Sequence, residues 1–302
     1  MRIVSLLPSS TEIVCALGLE ADLVGRSHEC DYPAGIEALP ALTAPRFDPT
    51  GSSLEVDERV KAVLKEATSV YTIDAELLEQ LAPDVVITQT QCEVCAVSFA
   101  EVERVVCDQL HSSAAIVALE PNYLADVYGD IRRVADAVGL PERGASLVAE
   151  MQTRMYAIVD QTIDLPRPRV ATLEWLEPLM SAGNWVPELV EMAGGINLFG
   201  QAGVHSPWLQ WHELQTADPD MLVILPCGYD IAKAREELMV LEQRPEWNAL
   251  RAVRNNQVYV TDGNQYFNRP GPRLVESLEI LAEIMHPDCL HFGHEGSGWE
   301  RL

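Results

Sequence analysis

No stretch of this sequence approaches the roughly 18 consecutive apolar residues that a membrane-crossing helix requires, so no segment is expected to insert into a bilayer. Positive charge is scarce too: 21 lysines and arginines stand against 46 aspartates and glutamates, a formal net charge of −25. Contact with nucleic acid or an anionic membrane needs a basic face, and such a chain has little from which to build one. The acidity reads most simply as a solvated surface. Cysteine occurs in an odd number, seven, which suits a reducing compartment better than a disulfide framework. The opening Met1-Arg2-Ile3-Val4-Ser5 lacks a charged segment, an apolar segment and a small-residue cleavage site in order. The expected location is therefore the cytoplasm as encoded, or outside it if a leader has been removed. Also missing are a glycine-rich phosphate loop, a Ser/His/Asp constellation with a nucleophile elbow and a paired-carboxylate signature.

What is present is enough apolar residue, 48 %, for a sizeable core, spread over a length that suits two domains. Short β-branched runs alternate with amphipathic segments. Strands are predicted at residues 2–7, 22–25, 69–72, 85–88 and 114–119, with helices opening at Ser9 through a Ser9–Glu12 capping box, over about 55–66, over 74–82 behind Asp74, and over 99–110. Residues 34–53 read as loop. From Asn122 to about Leu165 the pattern is helix alone, interrupted near Gly139-Leu140-Pro141, and Leu147, Met151, Met155 and Ile158 form one apolar stripe. A second alternation follows, with strands at 169–173, 221–225 and 258–261 and helices at 186–193 and about 273–285. The expected fold is α/β: two Rossmann-like lobes with parallel sheets (1–121 and 166–285), joined by a rigid helical segment (122–165), with a ligand cleft between the lobes. The tail, 286–302, is expected to pack poorly. LAPDVVI at 81–87 and ADPDMLVI at 217–224 echo one another as a weak internal repeat.

Ligands of open parallel α/β sheets bind at the carboxyl ends of the strands. Those positions hold most of the unusual residues: Ser9 and Ser10, His28-Glu29-Cys30-Asp31, Gln91 to Cys95, Glu174-Trp175, Cys227, and Tyr266-Phe267-Asn268-Arg269. The candidate ligand-binding set is Ser9, Ser10, Glu29, Asp31, Gln91, Glu174, Trp175, Trp185, Cys227, Tyr266, Asn268 and Arg269. Loop aromatics in the second half, with Trp208 and Trp211 among them, suit a large planar ligand or simply local packing. Glu174 either accepts a hydrogen bond from a ligand or caps a helix.

The Cys92-Glu93-Val94-Cys95 turn leaves three readings open. With His28 and Cys30 the thiols form a soft donor set for zinc or another transition metal. At a helix N-terminus they form a redox dithiol. Otherwise they are small residues lining a pocket. Cys15 and Cys107 fall within helical stretches and are expected in the core.

Assembled in order, these motifs resemble the vitamin B12-binding substrate-binding proteins of ABC importers, the helical-backbone class. The residues that carry the likeness are Ser5-Leu6-Leu7-Pro8-Ser9-Ser10-Thr11-Glu12, Gly25 through Pro33, Leu81-Ala82-Pro83-Asp84, Glu188-Leu189-Val190 with Gly194-Gly195, and Pro219-Asp220. His28-Glu29-Cys30-Asp31, Cys92-Glu93-Val94-Cys95, Glu174-Trp175 and Phe267-Asn268-Arg269-Pro270-Gly271 mark a branch without a leader. The likeness covers residues 2–285. It implies a corrinoid or similar metal chelate held without chemistry, and an ABC permease as partner. The permease would dock on an acidic residue of each lobe, Glu76 in the first and, beside His212, Glu213 in the second. A cytosolic metalloprotein or redox protein using His28, Cys30, Cys92 and Cys95 is the alternative.

Overall fold

The β-branched run that opens the chain becomes an inner strand, Ile3–Ser5 (β1), and its burial on every side explains its composition. After it come Leu23–Arg26 (β2), Thr43–Pro45 (β3), Tyr71–Ile73 (β4), Val85–Gln89 (β5) and Ala115–Leu119 (β6). The computed structural model describes residues 1–66, 69–90, 99–109 and 113–302. These divide into one unit of Met1–Gly51, Glu55–Pro121 and Ala125–Glu150, and another of Ser52–Leu54, Asn122–Leu124 and Met151–Leu302.

In the first unit a parallel sheet runs in the order β2-β1-β5-β6. Its helices are Pro8–Ala16 (α1), most of Ser53–Leu64 (α2), Ala75–Leu81 (α3), Phe99–Glu103 (α4), most of Leu124–Ala137 (α5), and the start of Pro141–Thr162 (α6). Val4, Leu6, Val86, Leu78, Val102 and Val105 form its core. Two sequence expectations change here. The strand expected at 69–72 forms as β4 outside the parallel sheet, pairing antiparallel with β3 from the segment read as loop. And α1 starts one residue before Ser9, at Pro8, with Leu7 as its uncapped N-cap, so the Ser9–Glu12 capping box does not form. Proline at the first helical position has no N–H to satisfy and a φ already suited to a helix, which lets it open the helix instead.

The second unit takes the rest of α6. It adds Arg169–Leu176 (β7), Leu179–Ser181 (β8), Ile196–Asn197 (β9), Met221–Ile224 (β10), Val258–Thr261 (β11) and Trp299–Arg301 (β12). Its helices are Val186–Met192 (α7), Trp211–Ala217 (α8), Ile231–Glu242 (α9), Arg251–Arg254 (α10) and Leu274–Met285 (α11). The sheet order is β12-β11-β10-β7-β8, with β9 on β7. It is not wholly parallel as expected: β8 and β12 are antiparallel edges on a parallel centre. Leu173, Leu222, Ile224, Leu238 and Val260 belong to its core.

The tail likewise departs from expectation. Instead of packing poorly it supplies β12, with Trp299 buried. Glu283, buried on α11, accepts main-chain N–H groups from Phe292, Gly293 and His294, and the Trp299 Nε1–H at 2.8 Å. A buried carboxylate needs several donors, and the tail provides them.

The internal echo has a physical basis. Each Pro-Asp follows a helix whose C-cap lies in the left-handed region, Ala82 (φ 41°) and Asp218 (φ 42°). In the first unit the Asp84 carboxylate accepts the Arg2 N–H at 2.8 Å while the Asp84 N–H donates to Arg2 O at 2.8 Å. In the second, Asp220 accepts the Arg169 N–H at 2.9 Å and donates its own to Arg169 O at 2.9 Å. The same reciprocal clamp thus starts β1 against β5 and β7 against β10. Replacing Asp84 or Asp220 by alanine is expected to cost about 1–3 kcal/mol each, with asparagine costing less because it keeps an acceptor. Urea midpoints of the four variants test this; equal midpoints for Ala and wild type would refute the clamp.

Candidate functional site

The short turn from β1 into α1 places the hydroxyls of Ser5, Ser10 and Thr11 together. Ser5 and Ser10 Oγ lie 2.6 Å apart, and Thr11 Oγ1 is 2.7 Å from Ser5 Oγ and 3.1 Å from the Cys30 sulfur. This buried network ties α1 to the loop after β2. Ser10 is therefore a structural member of it, and Cys30, 1 % exposed, has its thiol packed against Thr11. Ser9 is buried in the first turn of α1.

The loop after β2 is held by a residue that sequence reasoning passed over. Arg26 donates to the carbonyls of Leu39, Ser27, His28 and Glu37, at 2.8–3.3 Å. A guanidinium offers five donors in a planar fork, and here the fork gathers a loop rather than a carboxylate. His28 bonds Thr43 through its main-chain N–H and through Nδ1, and its ring lies 5.1 Å from that of Tyr71. Burial first, and then the Arg26 charge, hold its imidazole below the ordinary histidine range. Glu29 accepts the Tyr71 hydroxyl at 2.9 Å, and Asp31, beyond Cys30 in the same loop, is half-buried. Gln91, Cys92 and Cys95 lie outside the described residues. Among the described residues no group of three or more His, Cys, Asp or Glu is arranged to hold a metal ion. Cys15 is half-buried, and burial pushes its thiol up to about 12. Cys107, expected in the core, is exposed where α4 widens into the π-helical turn Arg104–Gln109.

In the second unit β7 continues past Leu173, so Glu174 and Trp175 sit within the strand, at an irregularity in its pairing with β8. Such bulges re-aim side chains at sheet ends. Glu174 is oriented by a chain of donors: Gly183 N–H to Ser206 Oγ at 3.0 Å, and Ser206 O–H to the Glu174 carboxylate at 2.9 Å. Gly183 permits this approach, since a Cβ there would lie 2.6 Å from Ser206 N. Trp175 rests on Tyr229 with ring centroids 5.2 Å apart and donates Nε1–H to Ser53 O, whose residue clusters with this unit. Cys227 is exposed at the end of β10. Trp208 is exposed, whereas Trp211 on α8 stacks on Arg244.

The loop after β11 is stiff. Phe267 is fully buried with φ at 64°, a conformation costing a non-glycine residue roughly 1–3 kcal/mol unless its surroundings impose it. They do so through Trp185, which donates Nε1–H to Phe267 O at 2.7 Å, and Ser277, which accepts its N–H at 3.0 Å. Trp185, expected as a ligand residue, is only 5 % exposed and acts as this anchor. The Asn268 carboxamide donates to Leu225 O and Gly263 O, fixing the loop to the end of β10, and buried Arg269 donates to Asn264. Tyr266 remains half-buried, its ring under the Arg273 guanidinium and beside His294. Of the two residues expected to dock a permease, Glu76 is exposed on the first turn of α3; Glu213, exposed on α8, accepts the Gln210 N–H at 2.7 Å.

A family model described as periplasmic binding protein matches residues 3–265. An uncharacterized ABC transporter substrate-binding lipoprotein of Bacillus subtilis is 26 % identical, covering 95 % of this chain and 80 % of its own length. A vitamin B12-binding protein of Vibrio cholerae is 24 % identical, covering 94 % of this chain and 88 % of its own. Among solved structures, a periplasmic heme binding protein from Pseudomonas aeruginosa superposes with a TM-score of 0.72 at 21 % identity, over 95 % of this chain and 93 % of that one. No described helix is long and apolar enough to cross a membrane.

The tail also carries a titrating link to Tyr266. His294 Nε2 lies 2.9 Å from Glu279, whose hydrogen bond raises the imidazole above its ordinary 6.5; burial opposes this, and Glu283 and Glu276 add to it. A histidine whose folded pKa is raised contributes stability that is whole below the unfolded value and lost as pH rises through the folded one. The wild type should exceed His294→Gln by about 1 kcal/mol near pH 6 and by less near pH 9. Thermal melts at both pH values check it; a pH-independent difference would count against the ion pair.

Proposed function

The chain belongs to the periplasmic binding protein family, and from that premise we propose that it binds a cobalamin-like corrinoid or a related metal chelate without catalysis and delivers it to an ABC permease. The observation that carries this reading is the vitamin B12-binding relative, alignable over 94 % of the chain, together with the stiffened strand-end loops. Those loops offer what a large planar ligand needs: aromatic faces at Trp175 and Tyr266 and a fixed acceptor at Glu174. In the first unit Ser9, Ser10, Glu29, Asp31 and Gln91, and in the second Cys227, Asn268 and Arg269, complete the proposed set. Of these, Ser10, Asn268 and Arg269 act by holding their loops. The heme-binding structure shares the fold, so heme is the competing ligand.

Glu76 and Glu213 are proposed as the acidic contacts to the permease. An extracytoplasmic placement agrees with the family description and with the lipoprotein name of the Bacillus relative, and replaces the cytoplasmic expectation. Fractionation of producing cells tests it, and recovery in the cytosolic fraction alone would refute it.

Titration with cyanocobalamin and with hemin, followed by tryptophan fluorescence, is expected to give saturable quenching at about micromolar concentrations for at least one of them. Trp175→Ala should weaken that ligand about tenfold. Absence of quenching by both ligands overturns the reading. Charge reversal at Glu76 and Glu213 should abolish uptake in cells carrying the permease while leaving ligand affinity intact; unchanged uptake would remove these residues from docking.

A further inference from the structure

Among the described residues His28 is the one histidine near the strand ends of the first unit, and its protonation pattern follows from hydrogen-bond arithmetic. A threonine hydroxyl has one hydrogen and two lone pairs. The Thr43 hydrogen goes to Ser27 Oγ at 3.0 Å. Thr43 Oγ1 can then only accept, and it meets the His28 main-chain N–H at 3.0 Å and Nδ1 at 2.7 Å. Nδ1 must therefore carry a proton. In the neutral ring that leaves Nε2 with an in-plane lone pair, and among the described residues Nε2 makes no hydrogen bond; the Glu29 carboxylate is 3.9 Å away. The imidazole side chain is 26 % exposed, so this lone pair belongs to a ring that solutes can reach.

The ring is also held in place. Tyr71 flanks it, and the Tyr71 hydroxyl restrains Glu29. Arg26 ties the loop through four carbonyls. A neutral imidazole whose N–H is taken up by a fixed acceptor, with the opposite nitrogen bare, is how proteins prepare histidine as a metal ligand. Thr43 and Ser27 supply that outer support.

We infer that His28 Nε2 is an axial ligand to the central metal of a bound planar chelate, the class comprising cobalt corrinoids and iron porphyrins with an exchangeable axial position. The inference rests on the binding function proposed above and adds to it a selection among chelates. In the coordination step the Nε2 lone pair forms the metal–nitrogen bond, the metal–oxygen bond to an axial water breaks, and that water leaves. No electron is transferred and no proton moves. A chelate whose axial positions are both filled by strong ligands gains nothing from His28.

The test compares aquacobalamin and hemin, which carry an exchangeable axial position, with cyanocobalamin, which does not. Wild type, His28→Ala and Thr43→Val are titrated by tryptophan quenching while the visible spectrum of the bound chelate is recorded. The expected result is an imidazole-ligated spectrum on wild type with aquacobalamin or hemin, the responding one identifying the metal. That spectrum should be absent from His28→Ala and restored there by added imidazole. Thr43→Val should lose about 10- to 100-fold in affinity for the same chelate, as loss of an outer-shell partner does, with cyanocobalamin affinity unchanged. Quenching by a chelate with the same spectrum on wild type and His28→Ala overturns the inference but leaves the binding function standing. If His28→Ala does not fold, the wild-type spectrum decides: an aqua-type spectrum on the bound chelate is the overturning result. Absence of quenching by all three chelates overturns both.

Discussion

The reciprocal pairing of an aspartate with the arginine at the start of the neighbouring strand, just before β1 and at the first residue of β7, sets the frame on which everything else depends. Asp84 and Arg2 fix β5 beside β1, and Asp220 and Arg169 fix β10 beside β7. In a parallel sheet a slip of one residue would exchange the two faces of a strand and displace its following loop. Clamping the amino ends therefore determines where the carboxyl ends of these strands emerge: β1 leads into the Ser9-Ser10 turn, β7 carries Glu174, and β10 leads to Cys227.

From that frame the loops are stiffened by polar groups that direct their hydrogen bonds into the chain itself. Arg26 gathers the loop after β2, Ser206 aims Glu174, Asn268 pins the loop after β11 to β10, and Trp185 holds Phe267 in a costly conformation. The Asn268 amide, the Trp185 indole and the Arg26 guanidinium thus satisfy main-chain carbonyls that the bends leave unpaired, while the Ser206 hydroxyl accepts the Gly183 N–H and donates to the Glu174 carboxylate. A binding protein gains from this, because groups already ordered lose little entropy when a ligand arrives. Several residues that looked like ligand contacts are positioning residues for the same reason.

The tail shows the opposite economy. Its composition, rich in glycine and histidine, suggests little packing, yet Glu283 converts it into an edge strand by taking up its N–H groups. The Tyr266 loop, the His294–Glu279 pair and Arg154 on α6 are coupled through that edge, since Arg154 also reaches Glu279 at 2.8 Å.

By itself the sequence determined the two α/β halves, the helical stretch broken at Gly139-Leu140-Pro141, the central strands and the repeated Pro-Asp motif, because periodicity and chain-breaking residues are local. Membership of a binding-protein family was legible from ordered motifs such as those at 5–12 and 25–33. The roles of individual polar residues were not. Whether Trp185 faces a ligand or a carbonyl, whether Arg26 pairs with a carboxylate or a loop, and which nitrogen of His28 bears the proton all depend on partners outside the local sequence pattern: Phe267 lies 82 residues from Trp185, Leu39 13 from Arg26 and Thr43 15 from His28. Only the tertiary structure brings those partners to within 3.5 Å, the range at which a hydrogen bond forms and a side chain's role is decided.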